Sequence, residues 1–244
     1  MIKNLFYKSA PALAVRYRKV IRYSFENEIR IVRDYLKRRS GLFVDIGAHL
    51  GTWSFWIASR KQHVVAFEPN PTLVDILERS RIPNTRILGC ALGPVDGQAV
   101  LKVPFRDGLP RPGNGTITGF RIEAHQQVLE IPVRQCKLDD MNLGHIAAIK
   151  IDCEGGEEGV LEGAINVIKS DMPLIVLEIH QEREQDLAKV SKMLGALGYS
   201  AYWVEGNRPI PLATKPRPEF CDNLIFIPMT DGQDRISRPP NVRT

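Results

Sequence analysis

Short apolar runs, each long enough for one strand and separated by stretches of helical spacing, constrain this chain most. Leu42–Ile46 and His63–Phe67 are such runs, and Thr52–Arg60 between them reads as a helix. Thr72–Arg79 is helical in pattern and Arg86–Leu92 extended. The same order returns later, with strands at Ala147–Ile151 and Leu174–Ile179 and helices at Glu157–Ile168 and Arg183–Leu197. Continuous apolar strands are buried on both faces, so this alternation predicts an α/β fold with a mostly parallel sheet between helical layers. Two late runs, Ser200–Val204 and Asn223–Ile227, predict a terminal β-hairpin around a Pro-rich loop.

The middle of the chain breaks the rhythm. Gly108, Pro110, Pro112, Gly113 and Gly115 cluster between two extended runs, Ala99–Phe105 and Val128–Gln135. A β-rich insertion over about residues 93–145 is expected, with a loop of the kind that carries binding residues. Ahead of the first strand, residues 1–40 hold 11 Lys/Arg against 3 Asp/Glu, a net +8, whereas the whole chain carries +5. This predicts a basic helical arm, with helices near 10–22 and 26–39, before a domain at 41–228. The arm suits an anionic membrane surface or a phosphate-bearing carrier. Residues 229–244 are polar and predict a disordered tail.

Composition narrows the class. Apolar residues at 43% and charged residues at 25% exclude a disordered or low-complexity chain. No apolar run approaches the roughly 20 residues of a membrane-spanning helix, and no signal-peptide pattern opens the sequence. Cys90, Cys136, Cys153 and Cys221 lack C-x-x-C spacing. Read as free thiols, they predict a cytoplasmic protein, with the arm placing it peripherally at the inner membrane face.

The first strand runs into Asp45-Ile46-Gly47-Ala48-His49-Leu50-Gly51-Thr52-Trp53-Ser54. The spacing G-x-x-x-G after an acid differs from the G-x-G-x-x-G that seats a dinucleotide pyrophosphate. Glu68 follows Gly47 by 21 residues, at the end of the second strand and before Asn70. An acid at that distance commonly accepts hydrogen bonds from ribose hydroxyls. Together these features predict a nucleoside-bearing cofactor.

Three blocks, Phe43–Gly51, Phe67–Pro71 and Ile149–Glu157, resemble the FkbM family of S-adenosylmethionine-dependent methyltransferases. Val160–Ala164, Leu138–Asp140 and Leu177–His180 extend the resemblance, with His49 and Cys153 standing where the family usually has Asn and Val. It implies a Rossmann-like class I methyltransferase fold and S-adenosyl-L-methionine as cofactor. The implied cofactor residues are Asp45, Gly47, Ala48, Gly51, Thr52, Ser54, Glu68, Asn70, Ala91 and Asp152. The implied reaction is O-methylation of a small-molecule or glycan hydroxyl, on a sugar, glycolipid or related natural product.

A hydroxyl acceptor needs somewhere for its proton to go. Asp152 and Glu154 follow one strand and Glu178 and His180 the next, and residues two apart on a strand share a face. Asp152, Glu154 and His180 are the catalytic candidates, with His180 or Asp152 as base. Asn114, Thr116 and Glu178 are the substrate-contact candidates. Asp152 and Glu154 with a nearby third acid could instead hold Mg²⁺, but oxygen ligands alone have no diagnostic spacing, and no metal ligand is assigned. Two other readings stand beside this one, a nucleic-acid methyltransferase and a non-catalytic cofactor-binding module. The acidic Asp152-Cys153-Glu154-Gly155 block and the intact Asp45/Gly47/Gly51/Glu68 set weigh against them, and no stable nucleic-acid partner is expected.

Overall fold

The computed structural model describes residues 27–229 other than Arg60, Arg121 and Phe220. The expected helix near 10–22, the anionic docking of the arm and the disordered tail lie outside the described residues.

The chain runs α1 (Glu28–Leu36), β1 (Leu42–Ile46), α2 (Thr52–Ile57), β2 (Val64–Phe67), α3 (Pro71–Ser80) and β3 (Thr85–Leu88). The insertion contributes β4 (Ala91–Leu92), β5 (Gly97–Arg106), β6 (Leu109–Pro110) and β7 (Val128–Cys136). Then come β8 (Ile146–Ile151), α4 (Glu157–Glu162), α5 (Ile165–Asp171), β9 (Leu174–Glu178), α6 (Glu184–Ala196), β10 (Tyr199–Glu205), β11 (Arg208–Pro211) and β12 (Asn223–Pro228).

The main sheet has the order β11-β10-β12-β9-β8-β1-β2-β3. From β9 to β3 every pairing is parallel, and β12, β10 and β11 are antiparallel. This is the α/β, Rossmann-like class I methyltransferase fold. Strand residues alternate between two cores. Val44, Ile46, Ile149, Ile151, Ile175 and Leu177 pack on one face, and Phe43, Ala148, Leu174 and Val176 on the other.

Three expectations change. The terminal hairpin is β10–β11, closed between Glu205 and Arg208, and β12 inserts between β10 and β9. The helix expected over 157–168 breaks in two at Gly163–Ala164, where Ala164 leaves helical geometry (φ −117°, ψ 9°) and a Cβ at Gly163 would stand 2.0 Å from the Gly93 carbonyl oxygen. The domain also begins earlier than residue 41. In α1, Ile29 and Val32 are fully buried in the second core, so this helix is part of the domain rather than of an arm. Among the described residues no helix is long and apolar enough to cross a membrane.

Candidate active site

The parallel strands end together, and a cavity of about 1380 Å³ opens at their carboxyl ends. One wall is the first crossover. Gly47 (φ +75°) donates to the Phe67 carbonyl at 3.0 Å, and a Cβ there would stand 1.8 Å from the Asp152 carbonyl oxygen. Only glycine allows the β1 and β8 ends to meet so closely. Gly51 (φ +72°) faces the side chains of Leu77 and Ile82 and takes no part in the cavity wall, so its role is packing rather than cofactor contact.

Gly51 also leaves α2 without a side-chain cap. Asp45 supplies one from β1: its Oδ2 accepts from Ser54 N at 2.9 Å and from Ser54 Oγ at 2.6 Å. A carboxylate at a helix N-terminus satisfies an orphan N–H and the helix dipole together. Ser54 is fully buried on this bond and lines no part of the cavity, which corrects its expected cofactor role. Asp45, Ala48 and Thr52 do line it.

Glu68 follows β2 and also lines the cavity. Its Oε2 accepts from His49 N at 2.7 Å and its Oε1 from Asn70 N at 2.9 Å. Asn70 in turn caps α3 by accepting from Thr72 N at 3.0 Å. Each carboxylate oxygen has a second acceptor position, so the two backbone donors aim the carboxylate without exhausting it. Burial pushes Glu68 up to about 7, against the opposing pull of the Asn70 and His49 N–H groups. These open acceptor positions suit the ribose hydroxyls of S-adenosylmethionine, and Ala91 also lines the cavity. Hydroxyls donating to Glu68 favour its ionised form, so binding lowers its pKa. Affinity should therefore be greatest above pH 7 and weaken by up to about tenfold per unit below it. Calorimetric titration at pH 6 and pH 8 checks this, and equal affinity at both would contradict it.

The opposite wall holds the acids. Asp152, Glu154 and Glu178 all line the cavity. Between them stands Lys150, a residue the motif reading passed over, with 2% of its side chain exposed. Its Nζ lies 3.6 Å from Asp152 Oδ2, 3.5 Å from Glu178 Oε2 and 5.8 Å from the Trp53 ring centroid. Trp53 stacks on Phe43 and lines the cavity beneath it. Burial, with Glu178 and Glu154 near, pushes the Asp152 carboxyl well above the usual carboxylate range. Burial acts on Glu178 in the same direction, but Lys150 and a hydrogen bond shared with Asp152 outweigh it and hold Glu178 low. Burial thus raises Asp152 while Lys150 keeps Glu178 the more acidic of the two.

His180 is not brought into the cavity wall. Its Nδ1 lies 3.2 Å from Asp222 Oδ2 and its Nε2 3.7 Å from Glu154 Oε2, with Phe120 stacked on the ring. It stands behind Glu154 as a positioning group instead of reaching an acceptor directly. Glu178, His180 and Asp222 offer ligand atoms within 4.8 Å of one another, the one such metal-competent group among the described residues. Thr116 is likewise turned away from the cavity. Its Oγ1 donates to the Glu154 carbonyl at 2.8 Å and pins the inserted loop to the catalytic end, whereas Asn114 lines the cavity. Glu154 itself adopts φ +46°. Glu157 holds that turn by accepting from Cys153 N and Gly155 N, both at 3.1 Å.

Comparison with known proteins agrees with this geometry. The family model for the methyltransferase FkbM domain matches residues 45–201, well over half of the chain. No curated protein matches. An FkbM methyltransferase from Methylobacillus flagellatus aligns at 18% identity and a TM-score of 0.51, covering 77% of this chain and 43% of that one. This chain therefore spans less than half of that protein. A TehB-like S-adenosylmethionine-dependent methyltransferase from Corynebacterium glutamicum is 13% identical (88% and 96% covered, TM-score 0.46). A Pyrococcus abyssi tRNA (uracil-54, C5)-methyltransferase in complex with S-adenosyl-L-homocysteine is 11% identical (82% and 36% covered, TM-score 0.42). The strand-end acids, the glycine turn beneath them and the family match lead to one conclusion: this chain belongs to the FkbM family of methyltransferases, with S-adenosylmethionine as its cofactor.

Proposed function

We propose that this protein transfers a methyl group to a hydroxyl oxygen on a sugar, glycolipid or related natural product. The observation that carries this reading is the Lys150–Asp152–Glu178 cluster in the cavity wall. When bound, the cofactor supplies an electrophilic methyl on a sulfonium. What the chain must add is orientation and a destination for the hydroxyl proton, because an alcohol attacks poorly while it keeps that proton. Glu178, held low by Lys150 3.5 Å from its Oε2, would take that proton and pass it to solvent through the open cavity once product has left.

A nucleic-acid acceptor fits less well. Asp45, Glu68, Asp152, Glu154, Glu158, Glu162 and Glu178 line the cavity against Lys150 and Arg111. Seven acids facing two cations repel a phosphate backbone, whose binding rests on Lys and Arg. The test is transfer of labelled methyl from S-adenosylmethionine into a panel of sugars, alkyl glycosides and RNA. Label in an ether-linked methyl of a sugar or glycoside is the expected result. Label confined to RNA would overturn the reading.

A further inference from the structure

We propose that the acceptor carries a long hydrocarbon chain, and that the inner face of the inserted sheet is the subsite that takes it. This deepens the O-methyl transfer reading above and rests on it. In the β5–β7 register Leu101 stands opposite Ile131 and Val103 opposite Leu129. These four side chains share one face and all line the cavity, and Ile117 joins them from the loop that follows. The other face pairs Lys102 with Glu130, as a solvated face does.

The apolar strip continues outward. Val103 and Leu101 are 1% and 2% exposed, Leu129 is 43% exposed, and Leu109 on β6 is 49% exposed beside Pro110 of the cavity wall. Leu101 and Val103 anchor this face in a small core with Ala91 and Val133, and Ile117, Ile131 and Leu129 extend its apolar lining along the cavity. The volume agrees, since 1380 Å³ exceeds the roughly 300–1,000 Å³ that one ligand of drug size occupies. A cofactor therefore leaves space for a second ligand. The seven wall acids disfavour an anionic head, so a neutral hydroxyl-bearing head on an alkyl or prenyl chain is the chemistry the two walls share. The net +8 of residues 1–40 suits the anionic surface on which such an acceptor resides.

Decyl β-glucoside, octyl β-glucoside and glucose, each below any micelle concentration, serve as probes on the full chain saturated with S-adenosylhomocysteine. Calorimetry should show saturable binding of decyl glucoside, about fifteenfold tighter than octyl glucoside, since each of its two extra methylenes is worth about fourfold in affinity when buried. Glucose should bind at least about 1,000-fold more weakly, the same arithmetic for five buried methylenes. Leu129→Asp, at a position exposed enough to leave folding intact, should weaken decyl glucoside at least tenfold and leave S-adenosylhomocysteine within twofold. Leu129→Ala should fall between. No saturable decyl glucoside binding, equal affinity for glucose, or wild-type affinity in a folded Leu129→Asp protein would each overturn the proposal. If S-adenosylhomocysteine itself fails to bind, the methyltransferase reading falls, and the two failures are thereby told apart.

Discussion

Lys150→Met should lower turnover by about 10²–10⁴ while leaving cofactor affinity nearly unchanged. The lysine is fully buried and pairs with two carboxylates, of which Glu178 is the one kept ionised. Met fills the same volume with no charge. Without the ammonium, desolvation dominates at Glu178 and pushes its carboxyl up. The proton acceptor is then lost, and only orientation remains to drive the reaction. A separate signature follows from the sign of this shift. Because the group that must be ionised titrates higher, the acid limb of the rate profile should move to higher pH. Activity should accordingly recover in part at alkaline pH. Glu178→Gln should cost a similar factor but show no such recovery. A folded Lys150→Met enzyme with wild-type turnover and an unshifted profile would remove Lys150 from the chemistry.

Gly47→Ala should lower the free energy of unfolding by at least about 3 kcal/mol, because two independent penalties fall on one residue. The backbone there is left-handed at φ +75°, and the new Cβ would meet the Asp152 carbonyl oxygen at 1.8 Å. That oxygen belongs to the backbone and cannot rotate aside. Either the first crossover or the end of β8 must move, and both carry site residues. Urea denaturation checks the stability loss, with cofactor affinity expected to fall in parallel. Unfolding within about 1 kcal/mol of wild type would mean the two strand ends are not held together as described.

Strand positions were legible because buried parallel strands are apolar without interruption. Leu42–Ile46 was read to the residue, and Ala147–Ile151 to within one. Asp152, Glu154 and Glu178 line the cavity because β8 and β9 end at its mouth, whereas strand periodicity alone misplaces His180, two residues after Glu178 and outside the wall. What escaped the sequence depended on contacts between distant segments. β11 reads Arg208-Pro209-Ile210-Pro211, a loop by its prolines, yet an edge strand tolerates them. Ser54 and Thr116 were polar at the right place along the chain but are bonded to Asp45 and to the Glu154 carbonyl. Ile29, Val32 and Leu36 are legible as a helical stripe, but the charge around them hides that the stripe packs into the domain's second core. Lys150 did leave a signal. A lysine inside Ile149-Lys150-Ile151 sits where lysine is almost never buried unless paired.

The account divides the site into a cofactor half centred on Glu68 and a chemical half centred on Lys150, Asp152 and Glu178. Titrating S-adenosylhomocysteine into wild type, Glu68→Ala and Lys150→Met tests that division most directly. Glu68→Ala removes acceptors for up to two hydroxyl donors, each charge-assisted bond being worth about 1.5–3 kcal/mol. Its affinity should fall at least tenfold with the fold intact, and Lys150→Met should bind within about twofold of wild type. Wild-type affinity in Glu68→Ala, or a tenfold loss in Lys150→Met, would contradict the account.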